Sequence, residues 1–486
     1  MTGRTKCAAF FDRYFGGRQS RPPAIKKNPC SEKRALLSTL QGGTLMNDQA
    51  YARTVKKTLL DCIADLDFVK WLFLKHPEAD FTRDRKFSFQ KLVKIMLLID
   101  GGSLQNELMK YFSFADDTPT KSAFCQQRAK VLPEAIRFLF SIFTERLEAL
   151  DTPKLFHGYR ILAADGSDIN IPYNPLDTET FHKNGDNRGY NQLHLNAFYD
   201  ALNGIYADCV LEPDRKSHER AAFITMVDRY RSSIPTIFLA DRGYESYQVF
   251  AHLIRSGQKF LVRLKEPGSN GILSTYNFPD GEFDNLNLET ILTHRQTKEV
   301  LANRDKYTVI SDVSKCDFFT PDNPFFPLFL RILCIEVSDG VFEYLATNLD
   351  RDKFPLDVMK DLYHMRWGEE TSFRELKYTI DLVHFHGRKR ESVEQEAWAR
   401  LILYNYCEAI TRHIAVSKQG SPKRKYDQKI NFATAACICK ASLKRSDDEI
   451  NTCRLIGRFL IPVRPGRSAP RKLKPQSAKT FLYRAA

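Results

Sequence analysis

The chain has no C-x-x-C pair, no apolar run long enough to span a bilayer, and no uninterrupted apolar core near its start. The first absence argues against a zinc ribbon or knuckle, since Cys437 and Cys439 are too close and no second Cys/His pair sits at a matching distance. The second argues against a transmembrane helix, and the third against a secretory signal. The 11 cysteines, an odd number, are scattered from Cys7 to Cys453 and read as reduced thiols. His384 and His386 are not read as metal ligands. The expected location is therefore the cytoplasm. No internal repeat is evident.

Acids are in short supply. There are 59 Asp and Glu against 73 Lys and Arg, for a formal net charge of +14. No acid follows Glu449, and few precede residue 46. An excess of base favours an anionic partner, most simply nucleic acid. With 43% hydrophobic residues the chain has ample material for a folded core and several domains.

Composition divides the chain. Residues 1–45 read as a basic flexible tail, with Met46 as an alternative start. Residues 46–154 carry apolar residues at helical spacing and are expected to form a helical DNA-binding domain. Within it, two short helices joined by a polar turn would offer Lys121, Gln126, Gln127, Arg128 and Lys130 to DNA. From 155 to 267 the order is strand, hairpin, helix, strand, helix, strand, with the hairpin turning at Asn203-Gly204. That order predicts a mixed α/β fold with a partly parallel sheet. Residues 268–350 read as a β-rich insertion, 351–420 as a helical continuation of the core, and 421–486 as a basic C-terminal region.

The acids that do occur stand in telling places. Asp165 follows the apolar run ILAA, and Asp241 follows TIFLA. A carboxylate at the C-terminal end of a buried strand faces the sheet edge where α/β folds bind ligands. Asp168 competes with Asp165 within the same DGSDI segment, and Asp165 is preferred because the apolar run delivers it first. A third acid comes from DLYHMRWGEETSFRELKYTI, which reads as one continuous helix. On it Tyr363, Arg366, Glu370 and Lys377 share a stripe of roughly 60°. Val358, Leu362, Met365, Phe373, Leu376 and Ile380 form a neighbouring apolar stripe of about 80°. One side would anchor in a core and the adjacent side would present a single acid among cations. Three carboxylates brought together suit one or two Mg²⁺ or Mn²⁺ ions.

The spacing Y-x2-R-x3-E-x6-K resembles the YREK signature of the DDE transposases encoded by bacterial insertion sequences. DGS at 165–167 and DRGY at 241–244 resemble that family's first and second acidic motifs, and the likeness runs from about Phe89 to Tyr483. The resemblance implies a ribonuclease H-like catalytic core interrupted by a β-rich insertion. It implies Asp165, Asp241 and Glu370 as the catalytic, metal-binding triad, holding two Mg²⁺ or Mn²⁺ ions, and Tyr363, Arg366 and Lys377 as grips on phosphates near the element's end. It further implies cutting of double-stranded DNA at inverted-repeat ends, in relatives through a hairpin, then insertion into target DNA by a homodimer in a paired-end complex at the nucleoid. Arg242, Arg263 and Lys265 are further candidate DNA contacts. Phe342, Tyr344 and Trp367 are candidates to stack on an unpaired base. Two alternatives stay open: a nuclease that cuts without joining, and a catalytically idle DNA-binding descendant.

Overall fold

A computed structural model describes residues 48–463 except 84, 184–187, 275, 277, 280, 311–315, 321, 339, 415–425 and 446–449. The basic tail, Met46 and the end of the C-terminal region lie outside the described residues.

Five helices open the described chain: α1 (Asp48–Phe68), α2 (Phe89–Leu98), α3 (Leu104–Tyr111), α4 (Lys121–Arg128) and α5 (Pro133–Glu148). Their starts follow local chemistry. Ser88 and Thr120 accept backbone N–H groups at the N-termini of α2 and α4, and Pro133 opens α5, where its missing N–H costs nothing. In α1, Tyr51, Val55, Leu59, Ile63 and Leu66 are buried at helical spacing.

The sheet strands are β1 (Arg160–Ile171), β2 (Phe181–His182), β3 (Tyr190–Asp200) and β4 (Tyr206–Pro213). Helix α6 (Glu219–Arg229) leads to β5 (Thr236–Ala240), and α7 (Tyr247–Arg255) to β6 (Lys259–Arg263). Then come β7 (Phe283–Thr293), α8 (Lys298–Ala302), β8 (Tyr307–Val309), β9 (Phe325–Ser338) and β10 (Val341–Thr347). Helices α9 (Leu356–His364), α10 (Trp367–Tyr378) and α11 (Arg390–His413) follow. The described chain closes with β11 (Gln428–Ile430), α12 (Phe432–Lys444), α13 (Thr452–Arg458) and β12 (Leu460–Pro462).

One mixed sheet organises the molecule, in the order β2-β3-β1-β5-β6-β10-β9-β7-β8, with β4 also on β3. Strands β1, β5 and β6 are parallel, whereas β3 is antiparallel to both β1 and β4. The β3–β4 hairpin turns where expected, with Gly204 at φ +71° and Asn203 donating to Asp200. The β-rich segment does not stand apart. Antiparallel pairing of β10 with β6 makes it a continuation of the central sheet.

Alternation along the strands sorts the side chains into two faces. Leu162, Ala164, Phe238, Ala240 and Val262 pack with α6 and α7. Ile161, Ala163, Ile237, Leu239 and Leu261 pack with Met359, Leu362 and Tyr363 of α9. Further along that second face, Ile169, Leu193, Leu195 and Ala197 join Phe373 and Leu376 of α10, and α11. The N-terminal helices share this last core: Leu59, Leu92 and Leu139 belong to the same cluster as Leu401 and Tyr404.

The expected single helix over 358–380 is two. Between α9 and α10 the backbone bonds become i→i−3, as Arg366 N to Tyr363 O and Glu369 N to Arg366 O. The physical reason is visible in the cores: Leu362 is anchored in one cluster and Phe373 in another. Gly368, a poor helix former, sits just past the joint. Among the described residues no helix is long and apolar enough to cross a membrane.

Candidate active site

Strand β1 runs through the acids rather than ending at them. Its parallel ladder with β5 stops at the pair Ala164–Ala240, while its antiparallel ladder with β3 continues to Ile171. Asp165 and Asp241 are the next residues on two neighbouring strands. They stand where the sheet opens on one side, because β5 leaves it for a 3-10 turn at Arg242–Tyr244. Alternation sends Asp165 to the face carrying α9 and α10, and Asp168 to the opposite face. The competition between them is thus a matter of parity.

Helix α10 lies over this opening. Burial raises the Asp165 carboxyl to about 6, the Gly166 N–H and Arg366 oppose the rise, and Asp241 and Glu370 add to it. The Gly166 N–H donates to Asp165 Oδ1 at 2.8 Å. Asp241 Oδ1 is buried without a hydrogen-bond partner, and Arg263 Nη1 is 3.6 Å from it. Glu370 is largely exposed, 3.9 Å from Arg366 Nη1. Arg366 is itself buried. Burial disfavours its charge, but Tyr363, Asp241 and Glu370 outweigh that and raise its pKa. Arg366 lies among the three acids and Arg263 is shared between Asp241 and Glu343, so the acids keep a surplus of negative charge, and Asp241 Oδ1 is left without a hydrogen bond. Hard divalent cations fit that donor set. The triad's oxygens stand apart rather than in one tight cage: among the described residues, only the group Asp168, His194 and Asp214 has all its ligand atoms within 4.8 Å.

The other expected contacts divide. Lys377 is half-buried, and its Nζ donates to the Asp168 carbonyl at 2.9 Å. Burial lowers its pKa, against the pull of Asp168 and Asp165. Tyr363 is buried with its hydroxyl turned inward; burial, then Glu343, raises its pKa. In this structure it presents no surface to a phosphate. Arg263 bridges Glu343 at 3.0 Å and Asp241. Lys265 lies past the end of β6, so it does not share a strand face with Arg263, and its Nζ closes a turn on Asn270 O at 2.9 Å. Arg242 is exposed beside Asp241. Trp367 is 51% exposed, whereas Phe342 and Tyr344 pack against the core. In the helical region Arg128 is not available to DNA: it is buried against Glu396.

Glu369 does not stand out in the sequence. It is buried, and both its oxygens lack a hydrogen-bond partner. Burial and then the Asp165 charge push its carboxyl well above the usual range. The available signal was helical spacing: Glu369 lies three residues before Ser372 and four before Phe373, both buried.

The part of β1 beyond its ladder with β5 supplies Asp165, the residue after β5 supplies Asp241, and α10 supplies Glu370 beside the buried Arg366. A family model described as a transposase DDE domain matches residues 156–406, more than half of the chain, and the chain belongs to that family. The matched span includes all three acids. The transposase InsG for insertion sequence element IS4 of Escherichia coli (strain K12) is 26% identical over 160 residues, which are 31% of this chain and 35% of that relative. The chain therefore matches about a third of that relative's length. Among solved structures, the cryo-EM structure of the piggyBac transposase synaptic complex with hairpin DNA aligns over 87% of this chain and 88% of its own, with a TM-score of 0.40 and 9% identity.

Proposed function

We propose that the chain is a transposase of the YREK-signature group, cutting DNA at the ends of an insertion sequence and joining those ends to target DNA. The observation that carries this reading is the β1–β5 register, which makes Asp165 and Asp241 neighbours under the helix that bears Glu370. The strand connectivity supports a ribonuclease H-like core: β1, β3 and β4 are antiparallel in succession, and β5 and β6 are parallel on the other side of β1.

Asp165, Asp241 and Glu370 would hold the divalent cations, Mg²⁺ or Mn²⁺, that dependence on a metal in this family implies. Such ions supply activation of the attacking oxygen and stabilisation of the leaving oxygen. The chain's own residues do the rest. Arg366, buried between Asp241 and Glu370, keeps the acids ionised and in place. Arg242, next to Asp241, and Trp367, next to Arg366, are both exposed and would meet the DNA backbone and an unstacked base. Lys377 fixes the β1 backbone just past Asp165. The protein meets its DNA at the nucleoid, as a homodimer that pairs two element ends.

The test is to incubate the protein with Mg²⁺, labelled element ends and a plasmid. Joined product supports the proposal. Cleaved ends without joining would mean a nuclease, and metal-independent binding without cleavage an idle relative.

A further inference from the structure

The turn that follows β5 is held from two sides. Asp241 stands at its start, and two backbone bonds wind it: Tyr244 N to Asp241 O at 3.0 Å and Glu245 N to Arg242 O at 3.3 Å. From α6, Arg220 Nε donates to Gly243 O at 2.8 Å, and the Phe223 ring packs on Tyr244 with centroids 5.3 Å apart. The other hold is Glu245, a buried carboxylate. Its Oε2 accepts the Lys265 N–H at 2.7 Å, and its Oε1 accepts the Ile272 N–H.

Those two amides belong to the loop that leaves β6 and opens the β-rich segment. Bonds from backbone N–H groups to an ionised carboxylate are among the stronger hydrogen bonds. Gly271 makes room for them, since a Cβ there would lie 2.7 Å from Glu245 Oε1 and 2.9 Å from the Lys265 Cβ. Two residues before Lys265, Arg263 ends β6, and its Nη1 lies 3.6 Å from Asp241 Oδ1. Asp241, its turn, Glu245, Lys265 and Arg263 therefore form a closed ring of contacts. Within that ring Asp241 Oδ1 is buried and has no hydrogen bond of its own. What fixes this carboxylate is the backbone beneath it.

We infer that Glu245 is a positioning residue for Asp241: it locks the end of β5 to the end of β6 and so holds the Asp241 carboxylate beside Asp165, with Arg220 as a second brace. This rests on the reading of Asp241 as a metal ligand. A site of this kind works only if its ligands are held within about 0.5 Å of the productive geometry. The β-rich segment thereby becomes part of the support of the triad, because the loop that begins it supplies both donors to Glu245.

The test reads the turn and the metal separately, on the full-length protein and without DNA cleavage. Hydrogen exchange is followed by mass spectrometry in peptides spanning 241–246 and 264–273, and Mn²⁺ uptake by the EPR signal of the free ion. Glu245→Gln keeps the shape but replaces one acceptor oxygen with a donor. It should speed exchange in both peptides and weaken Mn²⁺ binding about tenfold. Arg220→Ala, which leaves the Glu245 bonds in place, should speed exchange in 241–246 alone and also weaken Mn²⁺ binding, and it carries the test if Glu245→Gln does not fold. Mn²⁺ affinity equal to the parent's in the folded variants would overturn the inference, and Glu245 would then only staple a loop. A parent that takes up no more Mn²⁺ than the Asp165→Asn/Asp241→Asn/Glu370→Gln protein would instead overturn the metal reading of the triad, and the inference with it.

Discussion

Arg128, at the end of α4, donates to Glu396 of α11 across 2.6 Å, and both side chains are almost fully buried. The His386 and Gly387 backbone N–H groups donate to the same carboxylate. Burial favours the neutral acid, but Arg128 and His386 outweigh it and hold Glu396 well below the usual carboxylate range. Removing one partner strands the other charge. Arg128→Ala should therefore cost about 3–5 kcal/mol of stability, read from urea unfolding. An unchanged midpoint with weakened DNA binding would instead make Arg128 a DNA contact.

A different carboxylate gives a pH signature. Burial, and then Glu408, raise Glu375 of α10 to about 7 from a usual 4.5. The folded chain thus holds this proton more tightly than the unfolded chain does. The stabilisation is complete below 4.5 and is lost as pH rises through about 7. Discounted for partial exposure, Glu375→Gln should be more stable than the parent by about 1–2 kcal/mol near pH 8 and equal to it near pH 4. Denaturation midpoints across that range decide it, and a constant offset between the two proteins would contradict the assignment.

Gly166 is a third point of leverage. A Cβ there would meet His194 Nε2 at 2.5 Å and Glu219 Oε1 at 3.0 Å, and the buried imidazole has little room to yield. Gly166→Ala should cost about 1–3 kcal/mol by overpacking and shift the backbone that carries Asp165. Thermal melts and DNA cleavage should both fall, and a variant matching the parent in both would show that this strand face has room for a methyl group.

Much of this was legible in the sequence because it is written locally. The runs ILAA and TIFLA became neighbouring strands, and the Asn203-Gly204 turn formed its hairpin. The features that periodicity misses depend on distant partners. The length of β1 is set by β3, which pairs with it to Ile171 long after β5 has ended. The break between α9 and α10 reflects two cores that an apolar stripe cannot distinguish. Arg128 reads as a surface cation until α11 supplies Glu396, which lies 268 residues away in sequence. Glu369 gives no chemical signal of its own, since an acid beside Glu370 reads as solvated until the helix is docked on β1.

The most direct measurement is metal-dependent cleavage of labelled element ends by Asp165→Asn, Asp241→Asn and Glu370→Gln, with end binding followed in parallel. Each substitution should reduce cleavage to background while binding persists, because each removes one of the three carboxylates proposed to hold the metal and leaves Arg242 and Trp367 in place. Cleavage at the parent's rate by any one of the three would contradict the account.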